Sequence, residues 1–382
     1  MRYYIIAGEA SGDLHGNHLM QALQEKDPDA EFRFWGGDGM AAVAGPPVRH
    51  IRDLAIMGFI EVLRHLPTLM GNMRFCKQDI LAYRPDVVVG IDYPGFNLKI
   101  EAWAHRQGFR TVHYISPNLW AWKKGRIHGM RRTLDRLCFI LPFEERFFAE
   151  NGIKTERDCK GVNGFCAVYV GHPLLDAVTT LYTTHYTPPT DKTIALLPGS
   201  RRQELKESLP KMVQLARRHP EYRFVVAGMS LIGEDFYTQL LSHSTPLPPN
   251  LTVVYDQTYQ LLASAYAAIV CSGTATLETA LFNVPQVVCY SGNPISYLIA
   301  RTVVSKRIHY ISLVNLIADK PVVTELIQND FNQERLEREF NLITQDQDNR
   351  QRMLDQYAEM HTLLGNGGAS LRTANVILQL IR

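Results

Sequence analysis

The chain has no C-x-x-C pair, no apolar run long enough to span a bilayer and no marked excess of one charge. Each absence removes a class of protein. Its six cysteines (Cys76, Cys138, Cys159, Cys166, Cys271 and Cys289) are scattered, so zinc-ribbon and dithiol redox readings are poor. Free thiols in a reducing cytosol are the expectation. With Lys+Arg 40 against Asp+Glu 38 the net charge is +2, so no global field favours nucleic acid, and none is expected as a partner. Met1 to Ala7 is too short for a signal h-region and runs straight into a loop. The glycines after that first strand do not fit G-x-G-x-x-G, and no internal repeat is visible. No Asp-x-Asp pair of the second half reads as an obvious metal site, so neither metal nor cofactor is expected.

What remains is an ordinary globular composition, 46% hydrophobic and 20% charged, over 382 residues. That length exceeds one comfortable core. Short apolar runs alternate with helical patterns in both halves. The runs Tyr3 to Ala7, Val87 to Val89, Thr111 to Ile115, Ile194 to Leu197, Ala267 to Val270 and Gln286 to Tyr290 predict buried parallel strands. The fold class is therefore α/β, with two Rossmann-like doubly wound domains facing a cleft. The expected boundaries are 1–178, 188–350 and a helical tail 351–382, with a Thr- and Pro-rich linker around Tyr182 to Asp191. The final helix, with Ser370 as its cap, either packs back on the first domain or exchanges with a second copy in a homodimer. The polar stretch Glu156 to Val168 has no account in the sequence.

Two strand-to-helix turns carry the strongest functional signal. Ala267 to Val270 runs into Ser272-Gly273-Thr274-Ala275, and Gly273 lets the backbone approach a ligand. The first N–H groups of the following helix lack intrahelical partners, which suits an anion such as a diphosphate. Glu278, one turn on, can accept two ribose hydroxyls. Alternatively the stretch is a capped turn with no ligand. The second turn, Pro198-Gly199-Ser200-Arg201, predicts Ser200 as N-cap with Gln203 as its partner, and Arg201 as an added positive charge. Two such ends in one half suit a nucleotide diphosphate; alone, Arg201 reads equally as a solvated surface arginine.

The first half offers carboxylates rather than phosphate cradles. Ser11 or Asp13 reads as a helix cap, and Glu9 as a group at the carboxyl end of the first strand, the usual ligand side. Asp92 ends the third long strand beside apolar and aromatic neighbours. It reads as a general base with a raised pKa, or as a turn aspartate bound to local backbone. Val62, Leu63, Leu66, Leu69 and Met70 follow a helical period with basic flanks: a core-facing helix, or an apolar stripe lying on a bilayer. Trp120, Trp122 and Lys123 suit an amphiphilic, phosphorylated partner, or an ordinary helix with a solvated face.

Seven stretches together resemble the lipid-A-disaccharide synthase family. They are Ala7 to Asp13, Met57-Gly58 with Glu61 to Leu63, Gly90 to Asp92, His113 to Pro117 with Trp120 to Trp122, Leu196 to Arg201, Ser272 to Ala275, and Tyr310 to Leu313 with Asn315-Leu316. The likeness covers nearly the whole chain; the ordered set is specific, though each motif alone is not. It implies a GT-B glycosyltransferase joining UDP-2,3-diacylglucosamine to 2,3-diacylglucosamine 1-phosphate, giving a β-1′,6 disaccharide and UDP. It implies that Asp92 is the candidate base and that Arg201 and Asn315 serve the UDP side. On the reading of the residues themselves Glu9 is the other catalytic candidate, and Gly199, Ser200, Ser272, Gly273, Thr274, Ala275 and Glu278 join the UDP side. The resemblance also implies that the Val62–Met70 stripe (Val62, Leu63, Leu66, Leu69 and Met70) touches membrane and acyl chains; Ser11, Met57, Trp120, Trp122 and Lys123 are the further acceptor or membrane candidates. The implied partners are the two acylated sugars and a membrane surface. The implied location is cytoplasmic, on the inner face of the inner membrane of a Gram-negative bacterium. Departures from the family pattern are a longer Glu156 to Val168 segment, Gly95 for an acid and Val314 for a proline. Two rival readings stay open: a UDP-sugar 2-epimerase or hydrolase of the same fold, and a non-catalytic nucleotide-binding membrane adaptor.

Overall fold

Val87–Ile91 contains no polar side chain and is buried along its whole length, as a strand covered on both faces must be. It is the fourth strand of the first of two doubly wound units in a computed structural model of the chain. The structure describes residues 1–54, 66–120, 125–156, 159–178, 192–242, 246–291 and 310–382. The first unit comprises Met1–Asp176 together with Asn366–Arg382, and the second Ala177–Gly365.

The first unit's strands are β1 (Arg2–Ala7), β2 (Glu31–Gly36), β3 (Arg49–His50), β4 (Val87–Ile91), β5 (Arg110–Tyr114), β6 (Arg136–Phe139), β7 (Thr155–Glu156) and β8 (Cys166–Tyr169). They lie in the order β3-β2-β1-β4-β5-β6-β8-β7, with parallel pairing. The order reverses between β1 and β4, so their carboxyl ends form the crevice where open α/β sheets bind ligands. The short strands β3 and β7 are not expected from the residue pattern. Each is two residues long and sits at an edge of the sheet, where little periodicity can register.

The Glu156 to Val168 stretch gains a physical account. Arg136, nearly fully buried, donates to the carbonyls of Gly164 and Val162, so one guanidinium ties the loop backbone to β6. Cys159 and Cys166 form a disulfide across the same loop. The expectation of six free thiols is therefore corrected to four, Cys76, Cys138, Cys271 and Cys289, all buried. The two lie seven positions apart, a spacing with no motif signature.

The helix Ala369–Ile381 returns to the first unit and packs on the helix Ala10–Lys26. Its N-terminus is capped by Asp176, whose carboxylate accepts from the backbone N–H groups of Gly368, Ala369 and Ser370. A carboxylate there satisfies orphan donors and meets the positive end of the helix dipole. Ser370, expected as the cap, lies inside the first turn instead.

His15 and His172 are buried in this unit. Burial pushes His15 down to about 4 and His172 to about 3, each the more so beside another histidine. Both are neutral in the fold, and the Nδ1 of His172 accepts from the Leu174 N–H. The unfolded chain takes up these protons first as pH falls below 6.5, so stability is full above that value. It then declines toward pH 4 for His15 and pH 3 for His172. Each should contribute up to ~1.4 kcal/mol per pH unit within its window. Urea unfolding at pH 7.5 and pH 5 should show the loss, and His172→Gln should flatten it.

The second unit repeats the plan. Its strands are β9 (Thr193–Leu197), β10 (Arg223–Gly228), β11 (Leu251–Tyr255), β12 (Ala267–Cys271), β13 (Gln286–Tyr290) and β14 (Thr324–Ile327). They lie parallel in the order β11-β10-β9-β12-β13-β14, reversing between β9 and β12. The two turns singled out in the sequence follow those two strands, so both stand at this unit's switch point. β12 and β9 have every residue buried.

Candidate active site

At the switch point of the first unit, β1 leads into Glu9 and β4 into Asp92. Glu9 is the residue at the N-terminus of the helix Ala10–Lys26, and its side chain makes no capping bond. Ser11 lies within the first turn and is half-buried. Asp13 is not a cap either. Its carboxylate accepts from the N–H groups of Gly37 (2.6 Å), Gly39 (2.9 Å) and Met40 (3.0 Å), tethering the loop after β2.

The backbone around Asp92 is strained. Asp92 and Tyr93 are left-handed, with φ of 45° and 47°, and Ile115, just past β5, has φ 70°. For a β-branched residue that is an outlier, and each such residue costs about 1–3 kcal/mol. Three of them on adjoining strand ends show a backbone held where it would not otherwise go. The holding contacts are visible. The Asp92 N–H donates to the Tyr114 carbonyl at 2.9 Å. Buried Asn97 donates through Nδ2 to the carbonyls of Ile6, Ile91 and Asp92, stitching β1 to β4 at the reversal. Pro94 starts the helix Pro94–Arg106 with its fixed φ. The Tyr93 ring lies against Gly8, where a Cβ would overlap it.

These contacts leave the Asp92 side chain half-buried beside Glu9. Burial pushes its carboxyl up to about 6; the nearby Glu9 carboxylate adds to the rise, while His113 and the Tyr93 N–H oppose it. Beneath lies a pair not singled out for any role in the sequence: His113 on β5 and Glu101 on the helix, both with fully buried side chains, 2.8 Å apart. The lone histidine in an apolar strand and the glycine inside β4 were the available signals, since glycine within a strand marks a close approach. Further along the same edge, Glu144 accepts from the Leu141 and Ile140 N–H groups. Burial still pushes it up to about 8.

In the second unit, Gly273 has φ 153° and ψ −163°, a region open only to glycine. It precedes the helix Thr274–Leu281, whose start carries no side-chain cap. Thr274 is exposed there, and Ser272 and Ala275 are half-buried. Glu278 accepts from the Tyr259 hydroxyl at 3.1 Å, and burial raises its carboxyl to about 7. At the other turn the capping expectation is corrected. The helix Arg202–Arg218 begins after Arg201, not Ser200, and Gln203 is not the partner. Glu204 reaches back to the Ser200 N–H at 3.0 Å and meets Arg201 Nη1 at 3.3 Å. Gly199, at φ 114°, leaves the space this carboxylate fills.

Asn315 is almost fully buried and heavily committed. Its Nδ2 donates to the Val323 carbonyl and to Glu325, and its Oδ1 accepts from the Val323 N–H. Glu325 in turn accepts from Ile311 and Ser312. The pair shapes the turn before the helix Leu313–Ala318.

On the expected acceptor side, Trp120 packs edge-on against Phe143 at 5.1 Å. Met57, Val62, Leu63, Trp122 and Lys123 lie outside the described residues. Leu66 opens the helix Leu66–Tyr83, with Pro67 at its start. Leu69 packs partly against the core, while Met70 is 64% exposed. Among the described residues no helix is long and apolar enough to cross a membrane, and no cluster of His, Cys, Asp or Glu is arranged to hold a metal ion. Asp346 and Asp348, an Asp-x-Asp pair, open the helix Gln347–Leu364, and Asp346 caps it by accepting from the Asn349 N–H.

The chain matches the family model for lipid-A-disaccharide synthetase over residues 3–376. It is 35% identical to the lipid-A-disaccharide synthase of Syntrophus aciditrophicus over 388 residues, covering 99% of this chain and 97% of that protein. It is 36% identical to the enzyme of Acidobacterium capsulatum, covering 96% and 92%. Among solved structures it resembles the UDP-GlcNAc 2-epimerase of Neisseria meningitidis bound to UDP-GlcNAc. That likeness has a TM-score of 0.61 at 12% identity, and covers 99% of this chain and 100% of that one. At such identity it speaks to fold alone.

Proposed function

The chain belongs to the lipid-A-disaccharide synthase family, and from that premise we propose that Asp92 is the general base and that Arg201 with the Ser272–Ala275 turn receives the leaving group. The reaction itself is the family's. A GT-B-type hexosyltransferase condenses UDP-2,3-diacylglucosamine with 2,3-diacylglucosamine 1-phosphate, releasing UDP and the β-1′,6 disaccharide of lipid A biosynthesis.

The observation that carries the assignment is the raised carboxyl of Asp92 on a strained strand end beside Glu9. A base near pH 6 is ionised at neutral pH yet basic enough to take a proton as the acceptor 6-hydroxyl attacks. Attack on the anomeric carbon and departure of UDP occur in one inverting displacement, so no glycosyl-enzyme is required. The sugar passes through an oxocarbenium-like state, as in glycoside hydrolysis. Negative charge grows on the departing diphosphate. The Arg201 guanidinium and the uncapped N–H groups at Thr274 and Ala275 meet it, each donor being worth roughly 3 kcal/mol of barrier. Glu278 holds the ribose hydroxyls in this reading, with Tyr259 orienting its carboxylate. Gly199, Ser200 and Asn315 act by shaping the turns rather than by touching the nucleotide.

Glu9 raises the Asp92 carboxyl and borders the acceptor, with Ser11 and Trp120 on the same sheet edge. The Val62–Met70 stripe, with exposed Met70, attaches the protein to the inner face of the inner membrane and admits acyl chains. In this reading a homodimer is an association of whole chains, each keeping the helix Ala369–Ile381 on its own first unit.

The test is to incubate purified protein with both acylated sugars and follow UDP release. Release that requires both substrates is expected, with an acid limb in kcat/KM near pH 6 and a plateau above it. Turnover of water-soluble UDP-GlcNAc alone would favour an epimerase or hydrolase, and UDP and vesicle binding without release would favour an adaptor.

A further inference from the structure

Glu101 and His113 form a charged pair in a place where charge is costly. The side chains are fully buried, and His113 Nδ1 lies 2.8 Å from Oε1 and 3.1 Å from Oε2 of Glu101. Room for the carboxylate exists because Gly90, the register partner of His113 on β4, has no Cβ; one there would overlap it. Replacing such a pair by packed apolar residues is often neutral or stabilising, so the pair is not explained by stability alone. His113 Nε2 has no hydrogen-bond partner in this interior.

The surrounding charges give the pair a direction. Burial alone would lower the His113 imidazole, but Glu101, then Asp92 and the Ile115 carbonyl, overcome it, and the net shift is upward. From the other side, Asp92 meets the Glu9 carboxylate from the loop after β1, the Tyr93 N–H from its own turn, and His113 from β5. Tyr93 also faces Glu9. Of these side chains His113 alone can place a positive charge near Asp92.

We propose that Glu101 and His113 are a buried positioning pair that governs Asp92: Glu101 holds His113 as an imidazolium, and the imidazolium keeps Asp92 a carboxylate at neutral pH. The proposal rests on the reading of Asp92 as the base. Neither residue reaches substrate; both act through Asp92.

The experiment uses the full chain. Glu101→Gln keeps the shape and can still accept a hydrogen bond, so His113 should become neutral and Asp92 should hold its proton to higher pH. The acid limb of kcat/KM should move up by about one unit or more, a roughly tenfold loss near pH 6, with turnover recovering toward wild type at pH 9. Glu101→Gln combined with His113→Gln, an uncharged pair, should show the same displaced limb. A uniform loss at every pH with an unmoved limb would overturn the proposal. Nitrogen-15 NMR of His113 in the wild-type protein at pH 7 should show both ring nitrogens protonated; a neutral ring would overturn it even if neither variant folds. Should Asp92→Asn retain turnover, the base reading fails by itself. Carbon-13 titration of the Asp92 carboxyl, with and without Glu101→Gln, then still decides whether the pair controls it.

Discussion

Asp92→Asn is expected to lower the rate of UDP release by about 10²–10⁴-fold, the usual worth of a positioned general base. The substitution is nearly isosteric. The contacts that fix this corner are made by the backbone of residue 92, through its N–H to Tyr114 and its carbonyl to Asn97. They survive the change, so folding and UDP affinity should stay near wild type. Calorimetric UDP binding and the urea midpoint provide those controls beside the initial rate. A rate within about tenfold of wild type would remove Asp92 as the base. Loss of both UDP binding and fold would make it structural.

Arg201→Ala is expected to weaken UDP binding by about 10–100-fold while leaving stability almost unchanged. The reasons lie on opposite sides of one side chain. Arg201 is 54% exposed, and its 3.3 Å pairing with Glu204 is a screened surface contact of little energetic worth. Its value is its position beside the start of the helix Arg202–Arg218, at the second unit's switch point. There a planar guanidinium can bind a diphosphate in a forked geometry that lysine cannot copy. Arg201→Lys should therefore restore only part of the affinity. Equal UDP affinity in wild type and Arg201→Ala, measured at matched ionic strength, would refute the role.

The sequence read the two units and their strands because buried parallel strands announce themselves as unbroken apolar runs, such as Val87 to Val89 and Ala267 to Val270. It also read both strand-to-helix turns, since a glycine after such a run marks the chain's exit from the sheet. It misread the caps. Ser200, Asp13 and Ser370 each had the right chemistry for a helix start, but the cap positions fell elsewhere, and Glu204 and Asp176 took over the work. Capping is decided by which carboxylate can reach, and Asp176 reaches across nearly two hundred positions of chain.

Composition and pattern thus determined the class of fold and the strand ends on which chemistry could sit, and the resemblance of seven ordered motifs pointed to the family. Tertiary structure decided the electrostatics. The raised carboxyl of Asp92 reflects burial and Glu9 set against the opposing pull of His113, and the Glu101–His113 pair depends on a missing side chain at Gly90. Neighbours along a chain set local geometry; a charge answers to everything within several ångströms, and only folding assembles that company.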